Sequence, residues 1–261
     1  MKKLIALVLS LIMVLPCFAG CNTQDTIVVG YTIYEPMNYK DANGELIGFD
    51  TELAKAVFEG LGYKVIFQEI KWENKYTDLN AGTIDCVWNG FTCNTSDDDG
   101  VARADKVDFS YNYMENQQVI VVKKGSSIAT MEDLKDKLAG VESGSAGESY
   151  AKGIEGAATP KGFTKQTDTL LEVMSGSIDF AVVDVQLAKS YCGKGDYADL
   201  MIVEGLESDL EYYAIGFKKG SELTAKVNEQ LDKLAADGTI KSLAEKYGVE
   251  NSAILDFSSQ K

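Results

Sequence analysis

The chain has 261 residues, with 25 Lys and Arg against 40 Asp and Glu, a formal charge of −15, and no histidine. So acidic a surface repels phosphate backbones and excludes nucleic acid as a partner. The missing histidine removes Ser-His-Asp and Cys-His catalysis, most zinc sites and the commonest general base near neutral pH, and no standard glycine-rich phosphate loop calls for a cofactor.

The chain opens on Lys2 and Lys3, followed by an apolar run from Leu4 to Leu15 broken only by Ser10, and then Phe18-Ala19-Gly20-Cys21. A charged start, a short apolar stretch and small residues before a cut predict a secretory signal over 1–20. A membrane-spanning helix needs roughly 20 apolar residues, more than this run supplies. Cysteine directly after Ala-Gly resembles the lipobox of bacterial lipoproteins, with Phe18 in place of the commoner leucine. That resemblance implies lipidation at Cys21, a tether over 21–25, and a domain anchored at the extracytoplasmic face of the cell membrane. The remaining 241 residues, at charge −17, are enough for a full core. Besides Cys21 they hold Cys86, Cys93 and Cys192, an odd number that no internal disulfide framework can use up.

Taken in order, Ile27 to Gly30 reads as a strand and Asn43-Gly44 as a tight turn. Asp50 caps a helix whose apolar residues Leu53, Ala56 and Val57 recur at helical spacing, ended by Gly60 and Gly62. Lys64 to Phe67 is a strand, Lys75 to Ala81 a short helix, and Ile84 to Val87 a strand. The alternation resumes with the strongly apolar strand Gln118 to Val122, a helix over Met131 to Leu138, and a strand at Val141 leading into Gly144-Ser145. Then come a helix at Leu170 to Met174, a strand at Phe180 to Val183 and a helix at Val185 to Ser190. The strand Tyr213 to Phe217 and the helices Leu223 to Ala236 and Ile240 to Tyr247, parted by Gly238, complete the chain. Strands alternating with helices predict an α/β protein built on parallel sheet.

Of the 25 basic residues a single one, Arg103, is arginine. A chain so biased to lysine keeps arginine where a planar fork is needed, one that holds a carboxylate or phosphate through two parallel hydrogen bonds. Around it lie Leu79-Asn80-Ala81-Gly82-Thr83-Ile84-Asp85, Asn89-Gly90-Phe91-Thr92 and Phe109-Ser110. Further signals are Gly48-Phe49-Asp50, Ser175-Gly176-Ser177-Ile178-Asp179 before a strand ending at Asp184, Lys219-Gly220-Ser221, Asn228, Asp237-Gly238-Thr239 and Lys246-Tyr247. In order and spacing these resemble the bacterial extracellular solute-binding proteins of the polar amino acid type, family three, from Ile27 to about Val249.

The resemblance implies a two-lobed, periplasmic-binding-protein-like fold of type II, with ligand enclosed between α/β lobes joined by two hinge strands. Lobe one would comprise 26–113 and 212–261, and lobe two 114–211, with crossings near Asn112 to Gln118 and Ser208 to Tyr213. It also implies a role as the substrate-binding protein of an ABC importer: a monomer without catalytic residues that hands a polar amino acid to a membrane permease. Arg103 matches the grip on the ligand α-carboxylate and Asp184 the partner of its α-ammonium. A zwitterion leaving water needs both charges met, and partners on opposite lobes couple capture to closure. Asp184 also stands where it could cap the following helix. Gly90 and Thr92 match positions facing the ligand's charged end, Ser145 and Ala146 match donors to its carboxylate, and Trp72 and Tyr34 match aromatic walls. Glu142, with Glu35 near the mouth, points to a cationic or amide side chain rather than an acidic one.

Between Gly90 and Arg103 the chain is about six residues longer than the compact family pattern and includes Asp97-Asp98-Asp99-Gly100. A calcium loop with Gly100 in sixth place would set Thr95 first and Lys106 twelfth, where acids belong, so a solvated loop is expected. Met37 stands where relatives have phenylalanine, which would bear on selectivity. Two alternatives share the fold: an exported lyase or dehydratase acting on an amino-acid-like acid, and a sensory ligand module. The sensory reading would call for a signalling segment beyond Lys261.

Overall fold

The computed structural model describes residues 24–261; the expected signal and Cys21 lie outside the described residues. Two five-stranded mixed sheets organise the chain. In the first, Thr26–Tyr31 runs parallel to Lys64–Glu69 on one side and to Cys86–Val87 on the other. Gly216–Lys218 then joins antiparallel to Cys86–Val87 and to Val107–Phe109. In the second, Ala139–Glu142 lies parallel to Lys161–Phe163 and Phe180–Asp184, while Gln118–Lys123 pairs antiparallel with Phe180–Asp184 and Leu200–Ile202. The expectation of parallel sheet therefore holds for the βα series alone, because each sheet is completed by strands that arrive from the other side.

The helix Phe49–Gly60 buries Phe49, Leu53, Ala54, Val57 and Phe58, one face at helical spacing. It packs against the C-terminal helices Leu223–Ala236 and Thr239–Tyr247. Lys246 Nζ and Tyr247 O–H both donate to Glu52 Oε1, at 2.7 and 2.6 Å, fixing that docking. Phe58 is fully buried in this layer, and its truncation to alanine would cost about 3–5 kcal/mol. The first lobe thus depends on both ends of the described chain. Gly48, not Asp50, stands at the helix N-cap; Asp50 lies inside the first turn and is fully buried.

The chain crosses between the sheets twice, and the crossings pair as an antiparallel ribbon, Met114–Asn116 with Glu211–Tyr213. The strand expected over Tyr213 to Phe217 is therefore two: Tyr213 pairs with Met114 in the ribbon, and Gly216 pairs with Phe109 in the first sheet. The helix expected over Met131 to Leu138 is a single 3-10 turn, Met131–Leu134. It starts from a Thr130–Asp133 capping box and stops because Lys135 turns extended and Asp136 takes a left-handed φ of 59°. Cys86, Cys93 and Cys192 are all unpaired. No helix among the described residues is long and apolar enough to cross a membrane.

Candidate functional site

The carboxyl ends of the parallel strands of both sheets face one another, which is where α/β folds place ligands. Thr32 and Tyr34 follow the first strand, and Asn89, Gly90 and Thr92 follow Cys86–Val87. Trp72 opens the turn after Lys64–Glu69. Opposite them, Glu142 ends one strand of the second sheet, Asp184 ends another, Ser145 and Ala146 open the helix Ala146–Lys152, and Gln166 opens the helix Gln166–Ser175. These residues and Arg103 line one narrow cleft between the two sheets. Every ligand contact expected from the sequence is on its wall: Arg103, Asp184, Trp72, Gly90, Thr92, Ser145, Ala146, Tyr34 and Glu142.

Arg103 is 1% exposed, at the start of a one-turn helix, Arg103–Lys106. Its Nε donates to Asp97 Oδ1 at 2.8 Å, Nη1 to the Thr92 carbonyl at 3.1 Å, and Nη2 to the Gly144 carbonyl at 3.3 Å. Its guanidinium lies 5.4 Å from the centroid of Phe91, which Trp72 meets edge-on at 5.3 Å. Of the five N–H groups of a guanidinium, this leaves one on each terminal nitrogen for a ligand oxygen.

Asp184 sits at the N-cap of the helix Val185–Tyr191, but its side chain makes no capping bond. Instead Asn116 Nδ2 and Gln118 Nε2 donate to Oδ1 at 2.6 and 2.7 Å, and Gln166 Nε2 donates to Oδ2. The same two amides also donate to Glu211 Oε2, at 3.0 and 2.9 Å, so they bridge two buried carboxylates. Burial pushes the Asp184 carboxyl above its ordinary value, against these hydrogen bonds. Burial and then the charge of Asp184 raise Glu211. Glu211 lies on the second crossing and also accepts from Thr92 Oγ1 at 3.1 Å, which turns that hydroxyl toward the hinge.

Glu142 is 4% exposed, and its carboxyl is pushed up to about 8, first by burial and then by Asp184. Lys75 is buried and pulled down to about 7, first by burial and then by Arg103. Its ammonium lies over Trp72 and Tyr76 and donates to the Gly144 carbonyl at 2.9 Å. One carbonyl of the second lobe thus receives two cations of the first, and Lys165 reaches back to Glu69 at 2.6 Å. The lobes are shut on each other.

Gly90 has φ +54°, and a Cβ there would meet Tyr34 Cε1 at 2.7 Å. Asp50 Oδ2 accepts from the Gly90 N–H at 3.3 Å and from the Tyr113 hydroxyl at 3.0 Å, which holds this turn to the hinge. Tyr34 and Tyr213 hydrogen-bond through their hydroxyls at 2.8 Å. Met37 is packed in the core, and Glu35 does not line this cleft. The expectation of a solvated loop holds in part: Asp98 and Asp99 face solvent, whereas Asp97 is turned inward on Arg103.

Sequence reasoning missed Thr32, Asn89 and Gln166 in the wall, and Asn116, Gln118 and Glu211 beneath it. Gln118 carried a signal, as an amide at the head of an otherwise apolar strand. Asn89 carried none beyond its place beside Gly90; it binds the Thr32 backbone on both sides, accepting at 3.2 Å and donating at 2.6 Å.

The pattern for bacterial extracellular solute-binding proteins, family 3, matches residues 27–250. The chain belongs to that family. This solute-binding protein is 31% identical over 220 residues to the arginine-binding extracellular protein ArtP of Bacillus subtilis (strain 168), a match spanning 82% of each chain. Its fold superposes on an ancestral arginine-binding protein bound to arginine with a TM-score of 0.78, at 36% identity over 86% of this chain and 98% of the other. It also superposes on an ancestral amino acid-binding protein described as a precursor of cyclohexadienyl dehydratase, with a TM-score of 0.75 at 34% identity, over 85% and 95% of the two chains. The solute-binding protein thus has the type II two-lobed architecture, and membership of an extracellular family implies export.

Proposed function

We propose that this solute-binding protein captures one L-α-amino acid with a cationic side chain and passes it, without chemical change, to an ABC permease. Arg103 takes the α-carboxylate, with Ser145 and Ala146 beside it, and Asp184 takes the α-ammonium. Tyr34 and Trp72 flank the side chain, Gly90 and Thr92 line the charged end, and Glu142 meets the side-chain cation. The lobes are 26–113 with 212–261, and 114–211. Lipidated Cys21, exposed by removal of 1–20, tethers a monomer beside its permease.

One observation carries the reading of the ligand: the acidic and basic side chains on the wall are one guanidinium and two carboxyls, Arg103 against Glu142 and Asp184. A ligand with two cationic groups and one carboxylate matches that set group for group. An acidic amino acid would bring a second anion against Glu142 and Asp184, at a desolvation cost nothing in the wall offsets. Closure is stabilised by contacts the ligand makes to both lobes at once. Calorimetric titration with L-arginine, L-lysine, L-glutamine, L-cystine and L-glutamate tests this: the cationic pair should bind tightest, and preference for glutamate would remove the reading.

A second reading, an exported lyase, is favoured by Glu142 at about 8 and Lys75 at about 7, values suited to proton transfer near neutral pH. Incubating the protein with arogenate and following aromatic product separates the two; turnover would establish the lyase.

A further inference from the structure

The acidic segment before Arg103 is a small hairpin rather than a loose loop. Ser96 bridges Ala102, the Asp97 N–H donates to the Val101 carbonyl at 3.1 Å, and the Gly100 N–H donates to the Asp97 carbonyl at 2.9 Å. Arg103 closes it, its own N–H donating to the Thr95 carbonyl at 3.0 Å. This architecture points consecutive acids in different directions. Asp97 turns into the protein, where Oδ1 accepts from Arg103 Nε at 2.8 Å and Oδ2 accepts from Lys106 Nζ at 2.8 Å and the Tyr76 hydroxyl at 2.6 Å. Asp98 crosses the mouth of the cleft to Lys152 on the helix Ala146–Lys152, with Ser149 Oγ at 3.5 Å.

A guanidinium is planar, so fixing Nε and one terminal nitrogen fixes the direction of every remaining N–H. Asp97 holds Nε, the Thr92 carbonyl holds Nη1 and the Gly144 carbonyl holds Nη2. What remains is one donor on each terminal nitrogen, the pair an α-carboxylate needs. Burial alone would raise Asp97, yet Arg103, Lys106 and Tyr76 hold its carboxyl down at about 2, so this partner stays charged throughout the physiological range.

We propose that Asp97 is a positioning residue: it orients Arg103 to receive the ligand α-carboxylate, and Asp98 docks the same hairpin onto the second lobe, so that the orientation is locked when the cleft shuts. The inference rests on the reading of Arg103 as the carboxylate grip. It assigns the two neighbouring acids separable effects. Loss of Asp97 affects recognition of one ligand group, whereas loss of Asp98 weakens the closed state whatever the ligand carries at that end.

The test is a calorimetric cycle with L-arginine and L-argininamide, which lacks the carboxylate, on the wild type, Asp97→Asn, Asp97→Ala, Asp98→Ala and Arg103→Lys. Thermal melts serve as a folding control. Asp97→Asn keeps the shape of the side chain and removes its charge, so it reports even where the alanine variant is unstable. It should weaken L-arginine about tenfold while leaving L-argininamide within a factor of about two, because charge-assisted hydrogen bonds are roughly twice as strong as neutral ones. Asp98→Ala should weaken both probes equally. Equal losses for both probes in Asp97→Asn, or no loss, overturn the proposal and leave Asp97 as a staple of the hairpin. If Arg103→Lys binds L-arginine as the wild type does, or if the wild type fails to prefer L-arginine to its amide, the underlying reading of Arg103 falls as well.

Discussion

Replacing Glu142 by glutamine removes one carboxylate from the cleft at almost no change in volume, and its effect depends on the ligand. Glu142 is 4% exposed, ends a strand of the second lobe, and shares the wall with Asp184. A charge-assisted hydrogen bond to a ligand cation contributes about 1.5–3 kcal/mol, so Glu142→Gln should weaken L-arginine roughly ten- to hundredfold. L-Glutamine, which offers an amide to either side chain, should change less than about threefold. The pH dependence gives a second readout. Burial and Asp184 raise Glu142 to about 8 in the protein, and a bound cation lowers it again. The complex therefore holds fewer protons than the free protein, and affinity for L-arginine rises with pH until about 8, by up to about tenfold per unit, then levels off. Lys75, at about 7, sheds its charge over the same range and acts in the same direction, so the part of the slope that Glu142→Gln abolishes belongs to Glu142. Calorimetry at about pH 6, 7, 8 and 9 measures both effects. Unchanged L-arginine affinity in the variant, or an equal loss for L-glutamine, refutes the reasoning.

Other consequences follow from the same geometry. Asp184→Asn should weaken any α-amino acid by about 2–5 kcal/mol in calorimetry, since the ligand ammonium is left buried without its counter-charge. The same variant should melt lower than the wild type, because its amide nitrogen must face either the Gln166 donor or the Asn116 and Gln118 donors that the two carboxylate oxygens accept; an unchanged melting temperature with intact binding would contradict both roles. Gly90→Ala puts a Cβ 2.7 Å from Tyr34 Cε1 at a φ of +54°, and should cost about 1–3 kcal/mol in chemical denaturation and displace that wall of the cleft. Asp50 is raised from 3.8 to about 7 by burial, so its contribution is full below about pH 4, is lost as pH rises to about 7 and is constant above that. Melts at about pH 4, 5.5 and 7 should show the wild type falling relative to Asp50→Asn, and parallel curves would exclude this source.

Strands buried along most of their length, such as Gln118–Lys123 and Phe180–Asp184, were legible because a short run that is apolar between its polar ends has few other interpretations. The C-terminal helices were legible by their periodicity. Tyr213 to Phe217 was not, since nothing in its pattern shows a change of partner from hinge ribbon to sheet at Ala214 and Ile215. The 3-10 turn at Met131–Leu134 shares the apolar spacing of a longer helix, and only the backbone angles of Lys135 and Asp136 stop it. In the cleft, Arg103 stood out as the one arginine in a lysine-rich chain, and its neighbours came with the family pattern. Glu211 gave no such signal: a glutamate on a short strand reads as solvent-facing until Asn116, Gln118 and Thr92 are seen to enclose it. Asp97 was obscured by Asp98 and Asp99, which do face solvent.

A crystal structure of the protein grown with L-arginine tests the central claim most directly. The account predicts the α-carboxylate on the terminal nitrogens of Arg103, the α-ammonium on Asp184, and the ligand guanidinium at Glu142 between Tyr34 and Trp72. A ligand bound outside this cleft, or in the reverse orientation with its ammonium toward Arg103, would contradict it.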